Sequence, residues 1–335
     1  MACVCPKASR IILLFLAGIL SILILEGCDQ GASPDNDSSA ASEDCYLVNH
    51  AAGETCVSRD TEQIVTLDTV SFENVVALGL QPVATTHVNF LEHLLSEDFA
   101  EVVDLGDGDR PGLERVLQIK PHLIFGLEEQ QAFYSQAAQI APTVLIPFEH
   151  SGDWKEMFAF TAQALDKADQ VQEVMATYNT RLAELNQAIL TLNEGNKPTI
   201  SVVRIYPDGI ALYTKVGFIG TILEDAELPR PASQDLNFEE TKAFGFSTIQ
   251  YKVSAEAFDK ADADVIFIIV GNWDDQIDDA LAALKADPLW SSLKAVQQGN
   301  VYEVGDHWIG SGPIAANAVI DDLFKHLLDM PNGDL

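Results

Sequence analysis

Between Asp153 and Leu192 the chain has neither proline nor glycine, and apolar residues recur at three- and four-residue spacings through "WKEMFAFTAQALDKADQVQEVMATYNTRLAELNQAIL". That periodicity is helical, and an uninterrupted helix of this length is uncommon inside a globular domain. Gly195 and Pro198 close the segment. On either side the rhythm changes to short apolar runs alternating with amphipathic stretches. The feature therefore divides the chain into two similar halves held by a helical strut. Two helices with a bend near Lys167-Ala168-Asp169 are the alternative that the same residues allow.

In the first half "IVTLD", "VVDLG", "HLIFG" and "TVLIP" read as strands. "SFENVVALG", "PGLERVLQI" and "EEQQAFYSQAAQI" read as the helices between them, the first closed by Gly79. In the second half "TISVVRIY", "IALY", "DVIFIIVG" and "NVYEVG" are strands. "GFIGTILEDAEL", "SAEAFDKA", "QIDDALAALKA" and "PIAANAVIDDLFKHLL" are helices. Alternating β and α segments predict mainly parallel sheets with helices on their faces. "IKPHLIFG" and "ADADVIFIIVG" occupy the same place in the two halves. The fold class expected is α/β: two β/α lobes joined by one long α-helix. A ligand cleft is expected between the lobes, at the carboxyl ends of strands.

The N-terminus reads differently. Lys7 and Arg10 precede an apolar run from Ile11 to Leu25, which has signal-peptide length and is short for a membrane span. It ends in "LEGC", so Cys28 is the expected lipidation site; an uncleaved anchor is the alternative. "DQGASPDNDSSAASED" is small, polar and acidic, the composition of a flexible tether. The expected organisation is a signal peptide over 1–27 and a tether over 28–44. An N-terminal lobe with a leading hairpin follows over 45–152, then a linking helix over 153–193 and a C-terminal lobe over 194–335. Either reading of the N-terminus places the folded part outside the cytoplasmic membrane, lipid-anchored in the first. A net charge of −32 repels nucleic acid and anionic membranes. Of the five cysteines, Cys45 and Cys56 remain in the folded part and flank "YLVNHAAGET". In an exported protein they are expected to pair across a hairpin, with two free thiols as the alternative.

No G-x-S-x-G, H-E-x-x-H, Walker A or G-x-G-x-x-G motif is present. The seven histidines are scattered, without the close spacing of a sequence-local metal site. What stands out is a set of polar and aromatic residues at strand ends. Arg204 interrupts the apolar strand "SVVRIY", just before the turn residues Pro207-Asp208-Gly209. Tyr206 shares its face by two-residue alternation. Tyr213 lies on the returning strand, Trp273 follows "IFIIVG", and His307-Trp308 follow "VYEVG". His87 and Arg110 sit past the corresponding strands of the first half. A guanidinium on a core strand requires an anionic or π-rich partner, which is either a ligand or a buried salt bridge.

The ordered set resembles the helix-linked periplasmic binding proteins of ABC importers, and within them the iron-siderophore branch. "IVTLDTVSFENVVALGLQPV", "LERVLQIKPHLIFG" and "QIAPTVLI" are similar to the N-lobe of that family. "VVRIYPDGIALY", "GTILEDAELPRP", "ADADVIFIIVG", "ADPLWSSLKAVQQGNVYEV" and "WIGSGPIAANAVIDDL" are similar to its C-lobe. The resemblance implies a monomeric binding protein, not an enzyme, that delivers a ferric siderophore to a membrane permease. It implies a pocket formed by Arg204, Tyr213 and Trp308, with Trp273 and His87 as further contacts; Tyr206 and Arg110 join the candidate ligand contacts from their own places at strand ends. No cofactor and no protein metal ligand are implied, because the siderophore itself chelates the iron. One exposed glutamate per lobe would dock the permease, which carries over to Glu73 and Glu224. A haem or corrinoid ligand on the same fold, or an exported lipoprotein outside transport, is the alternative.

Overall fold

A computed structural model describes residues 45–87, 101–245, 247–271 and 276–328. Cys28 and Trp273 lie outside the described residues. The described chain opens with an antiparallel hairpin, β1 (Cys45–His50) and β2 (Gly53–Ser58). Cys45 and Cys56 are disulfide-bonded across it, with Cα atoms 5.7 Å apart.

The N-terminal lobe is built on β3 (Ile64–Thr66), β4 (Ala84–Thr85), β5 (Val103–Asp104), β6 (Leu123–Leu127) and β7 (Thr143–Ile146). All pair in parallel, in the order β5-β4-β3-β6-β7. Its helices are α1 (Thr69–Ala77), α2 (Leu113–Ile119) and α3 (Gln131–Ala137). Asp68 starts α1 by accepting the Ser71 amide at 2.7 Å, and Gly79 ends it in the left-handed region at φ 72°. The leading hairpin covers the open edge of β7. The Ala51 amide donates to the Leu145 carbonyl, and the Thr55 hydroxyl donates to the Thr143 carbonyl. An exposed edge strand is thereby masked.

The linker comprises α4 (Trp154–Ala164) and α5 (Ala168–Leu192). The expected unbroken helix over 153–193 is corrected: the long helix is α5, of 25 residues. Asp166 takes a left-handed φ of 55°, and the Lys167 amide closes back on the Ala162 carbonyl at 2.8 Å. A left-handed residue other than glycine costs about 1–2 kcal/mol. Two contacts from the start of the described chain converge on this break. Tyr46 donates its hydroxyl to the Ala164 carbonyl at 2.9 Å, and Arg59 pairs with Asp166 at 3.0 Å.

The C-terminal lobe contains β8 (Ile200–Tyr206), β9 (Gly209–Tyr213), β10 (Gln250–Val253), β11 (Val265–Ile269) and β12 (Val301–Val304), ordered β10-β9-β8-β11-β12. β9 is antiparallel to both its neighbours; β8, β11 and β12 are parallel. Its helices are α6 (Phe218–Asp225), α7 (Phe238–Lys242), α8 (Ile277–Ala286), α9 (Pro288–Ser291), α10 (Lys294–Gln298) and α11 (Pro313–Leu328). Trp154, fully buried, joins the linker to this lobe. Its indole donates to the Thr221 hydroxyl at 3.0 Å, and its ring meets those of Tyr178 and Phe218 edge-on. Asp225 accepts from both Lys155 and Tyr178 on the linker.

Candidate ligand site on the C-terminal lobe

The strand β8 alternates its side chains between two cores. Val203 and Ile205 point into one layer with Leu212, Tyr251 and Ile266, whereas Val202 belongs to the other with Tyr213, Phe267 and Trp308. Arg204 and Tyr206 share the second face near the carboxyl end of the strand. Both are half-buried. Arg204 Nη1 donates to the Tyr213 hydroxyl at 3.3 Å, and its guanidinium carbon lies 5.0 Å from the centre of the Tyr206 ring. Gln250 Nε2 donates to the Tyr206 hydroxyl at 2.8 Å, which fixes that ring from its far end. The structure thus brings three of the sequence-predicted residues together. Arg204 and Tyr206 form the accessible part of a cationic, aromatic wall, the arrangement suited to anionic or π-rich ligands.

Tyr213 has a different place from the one expected. Its side chain is 2% exposed, and burial pushes its phenol up to about 12. It stays protonated and reaches the site only through Arg204. Trp308 is a clearer correction. It is fully buried, its ring 4.5 Å from that of Phe267, and its indole donates to Asp322 at 2.9 Å. The turn after β12 directs this side chain under the sheet, so Trp308 is core. His307 meets the same carboxylate at 2.7 Å.

On the N-terminal lobe, His87 follows β4 and is exposed. Its Nε2 accepts the Gly108 amide at 3.0 Å, close to Asp107. Arg110 is also exposed on that loop, and its amide donates to the Asp107 carbonyl at 3.0 Å. Both residues lie past the carboxyl ends of β4 and β5, the edge at which open α/β sheets present ligands. They belong to a different lobe from Arg204 and Tyr206.

Glu73 is corrected outright as an exposed docking residue. It is 3% exposed; its Oε1 accepts the Ala315 amide at the start of α11, at 2.7 Å. A Cβ on Gly312 would lie 2.6 Å from the Glu73 carboxyl carbon, so a larger residue there would force the Glu73 side chain to shift. Burial pushes the Glu73 carboxyl up to about 7, opposed by the amides of Ala315 and Ile314. Glu224 is exposed at the end of α6. Among the described residues no group of three or more His, Cys, Asp or Glu side chains could hold a metal ion.

Sequence reasoning passed over Lys252, whose ammonium lies 5.0 Å from the Tyr206 ring centre. The strand that carries it begins 44 residues after Tyr206 in the chain, and its pairing partner cannot be read from local pattern.

Residues 64–307 match the family described as Periplasmic binding protein. The chain belongs to that family. A relative from Bacillus subtilis (strain 168), "Probable siderophore-binding lipoprotein YfiY", is 31% identical over 320 residues, covering 92% of this chain and 96% of its own. The "Fe(3+)-citrate-binding protein YfmC" of the same organism is 26% identical over 308 residues, covering 90% and 91%. Among solved structures, Staphylococcus aureus SirA complexed with staphyloferrin B superimposes with a TM-score of 0.71 at 24% identity. That match spans 84% of this chain and 98% of SirA. Bacillus subtilis FeuA complexed with ferri-bacillibactin gives 0.65 at 20% identity, over 84% and 98%. These structures share the two-lobe fold of this family member.

Proposed function

We propose that this protein is the extracytoplasmic binding component of an ABC importer, and that it captures a ferric siderophore and presents it to the permease. The observation that carries this reading is the near full-length similarity to a siderophore-binding lipoprotein, joined to an Arg204–Tyr206 wall at the carboxyl edge of a sheet. Arg204 meets the chelating oxygens of the ligand, and Tyr206 supplies an aromatic surface beside them. The iron arrives as cargo inside its chelate, and the protein works without a reacting group of its own. Cys28, acylated after signal cleavage, tethers the domain to the outer face of the membrane through the acidic segment.

The test is intrinsic tryptophan fluorescence against ferric hydroxamate, ferric citrate and ferric catecholate complexes, with haem and cobalamin in the same panel. Saturable quenching by a ferric siderophore at micromolar or lower concentration is expected. Saturation by haem or cobalamin alone would replace the ligand while keeping the transport role.

Docking needs an exposed acid on each lobe, and the burial of Glu73 leaves the N-terminal position open. Glu114 on α2 and Glu256 in the turn after β10 are both exposed. Each stands nine residues before the first residue of an inner strand, Leu123 of β6 and Val265 of β11. Each also begins a segment that leaves the carboxyl edge of its sheet, so the two glutamates occupy equivalent rims. Glu114→Arg combined with Glu256→Arg is expected to slow uptake in cells roughly tenfold while siderophore affinity is unchanged, since rim charges govern association with the partner. Glu224→Arg in place of Glu256→Arg compares the two C-lobe candidates directly. Loss of affinity along with uptake would place these residues in the ligand site instead.

A further inference from the structure

The turn Pro207-Asp208-Gly209 carries an ion pair that bears on the ligand wall. Register places Lys252 of β10 opposite Ala211 of β9, and Ala211 opposite Arg204 of β8. The three side chains therefore form one row across the sheet, on one face. The central member is a buried alanine, so a methyl group separates two long cationic side chains. Both bend toward Tyr206, with the Lys252 ammonium and the Arg204 guanidinium carbon each 5.0 Å from its ring centre. Asp208 places both carboxylate oxygens 2.7 Å from the Lys252 ammonium. That hydrogen bond holds the Asp208 carboxyl below its ordinary value, so it is ionised at neutral pH. The turn itself requires no charge: asparagine serves a tight turn as well as aspartate does.

We propose that Asp208 sets the charge class of chelate the site accepts, favouring neutral and weakly anionic ferric complexes over a trianionic one. The inference rests on the reading of Arg204 and Tyr206 as ligand contacts. The physical reason is arithmetic in charge. A carboxylate beside the wall repels a ferric tris-catecholate through three charges and a neutral ferric trihydroxamate through none. It also occupies the ammonium that would otherwise strengthen the positive potential in a chain of net charge −32. The Asp208 side chain is itself well exposed, so its effect is a field at the rim and not a packing requirement.

The experiment compares a synthetic ferric tris-catecholate with a ferric trihydroxamate by fluorescence titration at one fixed ionic strength. Asp208→Asn keeps the size and the turn and removes the charge. It should tighten the tris-catecholate about tenfold and change the trihydroxamate by less than about twofold, as Coulomb interaction with three charges against none implies. Lys252→Gln should shift the ratio the opposite way, and the double variant should return it toward the parent. High salt should shrink both effects. Thermal melts of each variant establish that folded protein is being titrated. A parent protein that binds either chelate, with a ratio unmoved by Asp208→Asn, overturns this inference and leaves the siderophore reading standing. Equal shifts for both chelates overturn it too, showing a turn staple and no charge filter. A parent protein that binds no chelate in the panel overturns the underlying reading as well.

Discussion

Arg204→Ala should weaken binding of a ferric siderophore about ten- to a hundredfold, because a charge-assisted hydrogen bond is worth about 1.5–3 kcal/mol and each 1.4 kcal/mol is a decade. Its melting temperature should fall by only about 2 °C, the effect of one lost neutral hydrogen bond. The guanidinium is half-buried and reaches the Tyr213 hydroxyl and the Tyr206 ring. Both of those partners are neutral side chains, so removing Arg204 costs the buried Tyr213 hydroxyl one neutral hydrogen bond, about 1 kcal/mol. Arg204→Lys should recover part of the affinity, since an ammonium keeps the charge and lacks the planar fork. A scaffold role makes the opposite forecast. Breaking a buried salt bridge would cost about 3–5 kcal/mol of stability, and the protein that still folded would bind normally. Titration and thermal melt of the same variant separate the two outcomes.

The second large effect is at Glu73, where the two lobes meet through the Ala315 amide of α11. Glu73→Ala leaves that buried amide without its acceptor and opens a void beside Gly312. A loss of about 3 kcal/mol is expected, the scale of an unsatisfied buried polar group with its lost packing. For a domain of this size that lowers the melting temperature on the order of 5 °C. Glu73→Gln behaves differently, because the amide oxygen can still accept. The carboxyl moves from its ordinary 4.5 to about 7 on folding. The folded state therefore holds a proton that the unfolded chain has already released. This contribution to stability is complete below about pH 4.5 and is lost as pH rises through about 7, and a difference of that size is worth about 3 kcal/mol. Asp68, buried at the start of α1 and raised from 3.8 to about 6, acts in the same direction over a lower window. So does the mutual repulsion of a chain at −32. Glu73→Gln isolates one component: it should match the parent near pH 4 and be the more stable of the two near pH 8. Denaturant midpoints across that range check it; parallel pH profiles for parent and variant would show that Glu73 does not change ionisation on folding.

Local chemistry determined a large part of this molecule. The alternation of apolar runs and amphipathic segments marks the strands and helices of both lobes, because solvent exposure on one face imposes a period of two or of three to four residues. Asp68 and Gly79 delimit α1 through side-chain capping and a left-handed closure, which involve only neighbouring backbone groups. Cys45 and Cys56 bracket a turn, and Arg204 announces itself as a cation within an apolar strand.

Tertiary structure alone decided the rest. Nothing in "ALDKADQ" breaks a helix by composition. The linker breaks where two residues from far earlier in the chain reach it, Tyr46 at the Ala164 carbonyl and Arg59 at Asp166, which takes a left-handed φ. Glu73 carries the pattern of a surface helix charge, and it is buried because the amino end of α11, 242 residues away, arrives to receive it. Trp308 sits at a strand end like a pocket residue, yet Asp322 on the final helix draws its indole inward. The row of Arg204, Ala211 and Lys252 exists only in the register of three paired strands. Periodicity reports which face of an element is buried and not what buries it, since the partner is chosen by contacts between segments far apart in the chain.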